Sequence, residues 1–356
     1  MKILITGICG FAGSHLAIAL SERITNAEIA GIDNLSRPGS ETNRSRLEST
    51  GVRFFHGDLR MRSDVDALPD FDWVIDAAAN PSVLAGMDGR SSARQLGEHN
   101  LNGTVNLLEY CRERKAGLIL LSTSRVYSIA HLAALPVAER NRAFVLDATH
   151  SLPAGISGGG VAESFPVSQP ISLYGATKLC SEIMAIEYGS AFQFPVWVNR
   201  CGNLAGAGQF GTAEQGIFSY WIHAHAGRSR LCYIGFGGHG YQVRDAFHPV
   251  DLADLICAQI RRDPPADPVY NAGGGIRNSM SIAQLAGWCD DRLGKREPVV
   301  DTTPRPFDIP WMVMDSGRAR EDFGWAPHRS LDSILDEIAV HAREHPEWQT
   351  LCGAAS

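Results

Sequence analysis

The chain has no excess of positive charge. Lys and Arg number 32 against 39 Asp and Glu, a formal net charge of −7 at pH 7, so the surface as a whole gives a nucleic acid or an acidic membrane little to hold. Paired cysteines are missing too. Cys9, Cys111, Cys180, Cys201, Cys232, Cys257, Cys289 and Cys352 lie far apart, with no CxxC and no Cys/His cluster at zinc-finger spacing; reduced, mostly buried thiols are expected. His223 and His225 stand at i,i+2 on an expected helix, so they point to different faces and read as a surface pair. No metal is expected. The apolar start Ile3-Leu4-Ile5 breaks at Gly7, too short for a signal peptide, and no later apolar run reaches the ~18 residues of a membrane span. The expectation is a cytoplasmic protein with neither a membrane nor a nucleic acid as partner. No internal repeat is visible.

What is present is ordinary globular sequence of 356 residues, 44% hydrophobic and 20% charged, enough for one large domain with an appended lobe. Short β-rich runs at Lys2 to Thr6, Glu28 to Asp33, Val52 to His56, Trp73 to Ala77, Leu118 to Ser122 and Val196 to Asn199 alternate with helical patterns such as Thr104 to Arg114. Such alternation predicts an α/β fold with a doubly wound parallel sheet. The pattern is lost from about Ser128 to Pro170, a long irregular stretch. Beyond Gly202 come a loop-rich segment, an aromatic helix around Phe218 to Trp221, a capping box at Ser281 to Gln284 and an amphipathic run from Leu331 to His341. These suit a smaller, mostly helical C-terminal substrate lobe.

Gly7-x-x-Gly10-x-x-Gly13 comes directly after the first expected strand and opens the first helix. Glycines there permit a tight turn and close approach of backbone to a pyrophosphate, which the helix N-terminus then holds, as in a Rossmann domain. Cys9, Phe11 and Ala12 belong to the same loop. Asp33 ends the second strand, where a carboxylate accepts ribose hydroxyls and repels a 2′-phosphate, which favours NAD over NADP. Asn34 and Ser36 adjoin it, and Arg37 leaves NADP open because a guanidinium can hold that phosphate.

Tyr174 and Lys178, at i and i+4 in Ser172 to Lys178, share one helix face. A lysine ammonium beside the phenol and a nicotinamide cation above it both favour the phenolate, so Tyr174 can act as a base towards a sugar hydroxyl. Upstream, Leu120-Leu121-Ser122-Thr123-Ser124 reads as a strand ending in hydroxyls at the sheet's C-terminal edge.

Gly7/Gly10/Gly13, Asp33, Gly57-Asp58-Leu59, Asn100-x-x-Gly103-Thr104, Ser122-Thr123-Ser124-x-Val126-Tyr127 and Tyr174-x-x-x-Lys178 together resemble the extended short-chain dehydrogenase/reductase family of nucleotide-sugar epimerases and dehydratases. The resemblance implies that Thr123 assists Tyr174, that Asp58 and Leu59 lie by the adenine, and that Lys178 also holds the nicotinamide ribose. It implies further cofactor contacts at Ala77, Ala78, Ala79, Asn100 and Ser122. The NAD-binding Rossmann domain is then expected over 1–203 plus about 243–275, and the nucleotide-sugar lobe over 204–242 plus 276–356. Within the family, Gln209 to Gly216, Gln242-Val243-Arg244-Asp245 and Asn271 to Gly275 with Asn278-Ser279 most resemble the branch that epimerises CDP-paratose and CDP-tyvelose at C2. That likeness places Arg244 and Arg305 on the diphosphate, and Thr123, Ser124, Arg125, Asn203, Gln209, Phe210 and Gln215 along the sugar-nucleotide cleft. Taken alone, Arg244-Asp245 also reads as a local ion pair and Asn271 to Gly275 as a turn. Two positions depart from the pattern: Ser128 replaces the usual Gly after Val-Tyr, and Asp76 replaces the usual His of His-x-Ala.

A 4,6-dehydratase needs carboxylates just after the catalytic Thr, and Ser124-Arg125 stand there instead. Epimerisation through a keto sugar, with hydride returned to the opposite face, is therefore expected. A UDP- or GDP-sugar 4-epimerase or reductase, and a non-catalytic NAD sensor, remain as alternatives. Helices over about Thr104 to Lys115 and Tyr174 to Tyr188 could pair in a homodimer or higher homo-oligomer, as the resemblance suggests.

Overall fold

The computed structural model describes residues 1–87 and 92–353. Its centre is a seven-stranded, all-parallel sheet in the order Val269–Ala272, Val196–Cys201, Gly117–Thr123, Trp73–Asp76, Lys2–Thr6, Glu28–Asp33 and Arg53–His56. The inner strands are almost wholly buried runs, ILIT, WVID and GLILLST, because helices cover both faces. Alternate side chains supply two cores. Ile3, Ile5, Ile119 and Leu121 pack with the helices Phe11–Arg23 and Pro249–Ile260. Leu4, Val74, Leu118, Leu120 and Val198 pack against residues of Gly103–Arg114 and Ser172–Phe192.

The six expected strands all form, with ends shifted by a few residues. A seventh, Val269–Ala272, was not anticipated; it pairs with Val198 to Cys201 at the sheet edge. Strand order reverses beside Lys2–Thr6, which makes the crevice above its carboxyl end the natural ligand site.

The irregular stretch resolves into the helix Ile129–Ala133 and two small hairpins. The first turns at Asn141 and Arg142, both at positive φ (49° and 62°), the geometry of a tight two-residue hairpin without its customary glycine. A second sheet, centred on Val243–Phe247 and joined by Asn203–Leu204, Ser279–Ser281 and Trp311–Met312, carries Arg244. The helices Ile217–Ala226, Ile282–Leu293 and Leu331–Glu344 share one core, and the capping box at Ser281/Gln284 is formed. The segment around Ala319 and Trp325 returns to the Rossmann core beside Tyr270.

The expected surface placement of His223 and His225 is wrong. Both are buried: His223 Nε2 lies 3.0 Å from His341 Nδ1, and His225 Nε2 lies 3.1 Å from Asp290 Oδ1. Their faces do differ, but neighbouring helices cover each of them. The cysteines are free, with Cys180 exposed, Cys232 half-buried and the others buried. Asp251, Asp254 and His328 have ligand atoms within 4.8 Å of one another. They form a cluster in which His328 Nδ1 is 2.7 Å from Asp251 and Arg23 Nε is 2.5 Å from Asp254. Among the described residues no helix is long and apolar enough to cross a membrane.

Candidate active site

A cleft of about 700 Å³ opens at the carboxyl ends of the central strands, between them and the second sheet with its helices. Nearly every expected site residue lines it. At one end are Gly7, Gly10, Phe11, Ala12, Gly13, Asp33, Asn34, Ser36, Arg37, Asp58 and Leu59; in the middle are Ala77, Ala78, Ala79, Ser122, Thr123, Ser124, Arg125 and Tyr174; from residues after the strand Val196–Cys201 come Asn203, Gln209, Phe210, Gln215, Arg244 and Arg305.

Three expected cofactor residues are buried off its wall. Cys9 packs its side chain into the core, and only its backbone reaches the site, donating to Asp33 Oδ2 at 2.9 Å. Asn100 spends its amide on Asn80 N–H (2.8 Å), Asn80 C=O (3.1 Å) and Thr177 Oγ1 (3.2 Å). Lys178 is 1% exposed on the helix that carries Tyr174.

The dinucleotide end fits its expected occupant. Gly7 turns at φ +60°, and a Cβ there would stand 2.9 Å from Ala78 Cα, so glycine alone leaves the loop open between two strand ends. Gly10 caps the helix Phe11–Arg23 without a side-chain hydrogen bond, which leaves first-turn amides for a phosphate. Asp33 accepts from Cys9 N–H and Leu35 N–H (2.8 Å), and burial lifts its pKa against those bonds. Arg37 does not stand ready for a 2′-phosphate. Its guanidinium donates to Phe210 C=O and to Gln215 Oε1 (3.3 Å), tying the ribose loop to the second lobe. Asp58 is held by Arg60 (2.6 Å) and Asn34 (3.0 Å). Asp33→Asn is expected to weaken NAD binding about tenfold or more and to narrow the preference over NADP, since hydrogen bonds to a charged group are worth about 1.5–3 kcal/mol. Titration calorimetry with both dinucleotides checks this.

The reacting end is built by close approach of the helix Ser172–Phe192 to the strand end at Thr123. Gly175 makes that possible: a Cβ on it would meet Arg125 C=O at 2.3 Å. Sequence reasoning passed over this glycine, although it lies inside the Tyr174-to-Lys178 motif. Tyr174 is 7% exposed. Burial pushes its phenol up to about 12, opposed by a hydrogen bond with Thr123 and by the charge of Arg125. Lys178 is drawn below the usual lysine value by burial, opposed chiefly by Asp76 and then Glu182.

Beside Tyr174 the cleft is strongly cationic. Arg125 donates to Phe307 C=O (3.4 Å), Arg305 to Ala213 C=O (2.9 Å), and Arg244 Nη2 lies 3.4 Å from Asp308 Oδ1. Arg125 is lowered to about 10, by burial first and then by the charges of Arg244 and Arg305, with Asp308 opposing them. Three guanidinium groups facing one carboxylate suit a diphosphate. Asp308 was missed by the sequence reading; its place in Arg305-Pro306-Phe307-Asp308 was the available signal. Arg244 and Asp245 do not form a local pair: Asp245 is buried and accepts from Gly275 N–H (3.1 Å) and Met314 N–H (3.4 Å). Asn271 to Gly275 is more than a turn, since Asn271 Oδ1 accepts from the Tyr127 hydroxyl at 2.7 Å.

Ser128 is accommodated at φ −57°, its hydroxyl 2.8 Å from His131 Nδ1. Asp76 is buried, accepting from Thr6 (2.7 Å) and Thr104 (2.9 Å).

The family model described as "NAD dependent epimerase/dehydratase family" matches residues 3–273. The chain belongs to that family. It is 28% identical to the CDP-paratose 2-epimerase of Salmonella typhi, over 95% of this chain and 98% of that protein. It is also 28% identical to a UDP-glucose 4-epimerase of Yersinia pestis, over 98% of this chain and 99% of that one. Among solved structures, the Thermus thermophilus UDP-glucose 4-epimerase in complex with NAD is 25% identical, with a TM-score of 0.75, covering 96% of this chain and 99% of that one. A Bacillus cereus UDP-glucuronic acid 4-epimerase shares the fold at 24% identity and a TM-score of 0.77, over 97% and 99% of the two chains. The protein is thus an NAD-dependent enzyme on a short-chain dehydrogenase fold.

Proposed function

We propose that the protein epimerises a nucleotide-linked sugar, and that its substrate is a CDP-linked 3,6-dideoxyhexose inverted at C2. The observation that carries the reading is the pair of side chains next after Thr123 in the cleft. A dehydratase needs carboxylates there, whereas here Ser124 and Arg125 line the cleft with Tyr174, and the Arg125 charge acts on the phenol. The cleft's carboxylates lie elsewhere: Asp33 and Asp58 with the ribose loop, Glu214 beside the Ala213 carbonyl that Arg305 holds, and Asp308 on Arg244.

In this reading Arg244 and Arg305 hold the diphosphate and Asn203 faces the sugar. Thr123 orients the sugar hydroxyl, and Tyr174 takes its proton as hydride leaves the same carbon. NAD, when bound, supplies the hydride acceptor. The Lys178 ammonium lowers the cost of the Tyr174 phenolate. The keto sugar turns its other face, Tyr174 returns the proton, and no net oxidation results.

The CDP and C2 assignments draw support from the Salmonella typhi relative and the segments shared with its branch. The UDP-glucose 4-epimerases, at 25–28% identity, keep inversion at C4 of a UDP-sugar as the second reading. Incubation with CDP-, UDP- and GDP-sugars, then proton NMR of the ring protons, separates them. Inversion at C2 of a CDP-sugar is expected. Inversion only at C4 of a UDP- or GDP-sugar transfers the assignment to the second reading, and accumulation of a free ketone or of a 6-deoxy-4-keto product refutes epimerisation. A non-catalytic sensor would bind NAD and change none of these sugars.

A further inference from the structure

The stretch from Gly208 to Gly216 is bounded by two glycines at positive φ, 75° and 70°. Side chains resist that conformation, and such points suit a segment that must absorb a backbone rotation. Between them Gln209, Phe210, Ala213, Glu214 and Gln215 line the cleft together with the glycine loop and with Arg244 and Arg305. Thr212 N–H donates to Gln215 C=O at 2.7 Å, and Gln215 N–H donates to Thr212 C=O at 3.1 Å. These bonds close Ala213-Glu214 into a turn and make the segment a compact flap.

Two guanidinium groups hold the flap. Arg305 Nη2 donates to the Ala213 carbonyl at the turn (2.9 Å). Arg37, from the ribose loop, donates through Nη2 to Phe210 C=O and through Nη1 to Gln215 Oε1 (3.3 Å). Both of its terminal nitrogens are therefore engaged with the flap.

The base of the flap is tied to the C-terminal segment as well. The Phe210 ring stacks on Trp348, with centroids 5.2 Å apart and planes 18° apart, and Trp348 Nε1 donates to Gln209 C=O at 2.9 Å. Both rings cluster with Phe11, the first residue of the helix that follows the glycine loop. Gly39 comes so close from the ribose loop that a Cβ there would stand 3.0 Å from the Phe210 ring. The flap thus rests on the two pieces of chain that carry Asp33 and the glycine fingerprint, and Arg37 fastens it to the first of them.

We propose that Arg37 is a positioning residue, the latch that holds the Gly208-to-Gly216 flap shut over the cofactor, so that NAD stays with the enzyme from one turnover to the next. Return of a hydride to the sugar that gave it calls for such retention, because a dinucleotide lost between the two halves of the reaction would strand the keto sugar. The inference rests on the glycine loop as the dinucleotide site. Its test needs no sugar nucleotide, so it can fail while the epimerase reading stands.

The variants are Arg37→Ala and Trp348→Phe. Among the described residues Trp348 does not line the cleft, and phenylalanine keeps the stacked ring while giving up the bond to Gln209 C=O. Protein loaded with NAD and mixed with excess NADH reports koff as the fluorescence of bound NADH appears, and titration calorimetry with NAD gives Kd. A latch slows entry and exit alike, so its loss speeds both and leaves Kd nearly where it was, whereas a lost direct contact with the cofactor speeds exit alone. In Arg37→Ala koff is expected to rise about tenfold or more, as for a lost hydrogen bond to a charged group, with Kd moving by less than about threefold. Trp348→Phe raises koff by a smaller factor, and it decides the matter if the arginine variant does not fold. An unchanged koff in the folded variant, or a Kd that rises in step with koff, would overturn the proposal; the second result would make Arg37 a ligand of the cofactor instead.

Discussion

Tyr174→Phe is expected to lower kcat by about 10³-fold, within the range a positioned acid–base group contributes, while the fold and NAD affinity persist. Among the described residues Thr123 is the hydroxyl that acts on the phenol, and a phenylalanine keeps the ring that packs there. The expectation rests on charge rather than proximity alone. Burial holds the phenol up to about 12, so proton transfer depends on the cations around it. Arg125 is the one that acts on the phenol directly, and Lys178 stands one turn along the same helix. Steady-state kinetics with thermal unfolding as a control checks this: a kcat loss below tenfold would remove Tyr174 from the chemistry, and a fallen Tm would reassign its role to packing.

Glu182→Ala is expected to cost about 3–5 kcal/mol of stability, the usual result of stripping one partner from a buried ion pair. Glu182 is 2% exposed and Arg200 8% by side chain. Burial works against the guanidinium's charge, and the hydrogen bonds and charge of Glu182 more than restore it. With Glu182 removed, Arg200 keeps the Tyr127 ring, 5.2 Å from its Cζ, and the Glu163 carbonyl, but no carboxylate. A fall in Tm of roughly 10 °C should result. Removing both charges, as in Glu182→Leu with Arg200→Met, should recover much of that loss, because two charges then need no desolvation. Differential scanning calorimetry decides it; a Tm unchanged in Glu182→Ala would mean water reaches Arg200.

The parts of this molecule that could be read from its sequence are those that depend on neighbours in the chain. Buried strands announce themselves as continuous apolar runs, the glycine loop by its position after the first of them, and the capping box at Ser281 by its spacing. The cleft's lining was legible for the same reason: strand ends and helix starts converge at one edge of a parallel sheet, so residues at those ends meet. What escaped depends on partners far away in sequence. His223 was misplaced because His341 covers it, and His225 because Asp290 does. The hairpin at Asn141-Arg142 lacks the glycine that usually marks such a turn. Asp308 matters only because folding brings it to Arg244, and Arg37, which the sequence leaves free for a phosphate, is held by Phe210 and Gln215. Asp76 was visible as a departure from pattern, but its hydroxyl partners Thr6 and Thr104 were not.

The central claim is that hydride leaves one sugar carbon and returns to that same carbon, with the surroundings of Tyr174 exchanging only the hydroxyl proton. The most direct measurement uses a CDP-linked 3,6-dideoxyhexose carrying deuterium at C2, converted by the enzyme with its NAD in ordinary water and examined by NMR and mass spectrometry. The expected product is inverted at C2 and retains its deuterium there. Inversion with deuterium lost to water would contradict it, because that outcome requires deprotonation at carbon, a step for which Tyr174, Lys178 and Thr123 are not arranged.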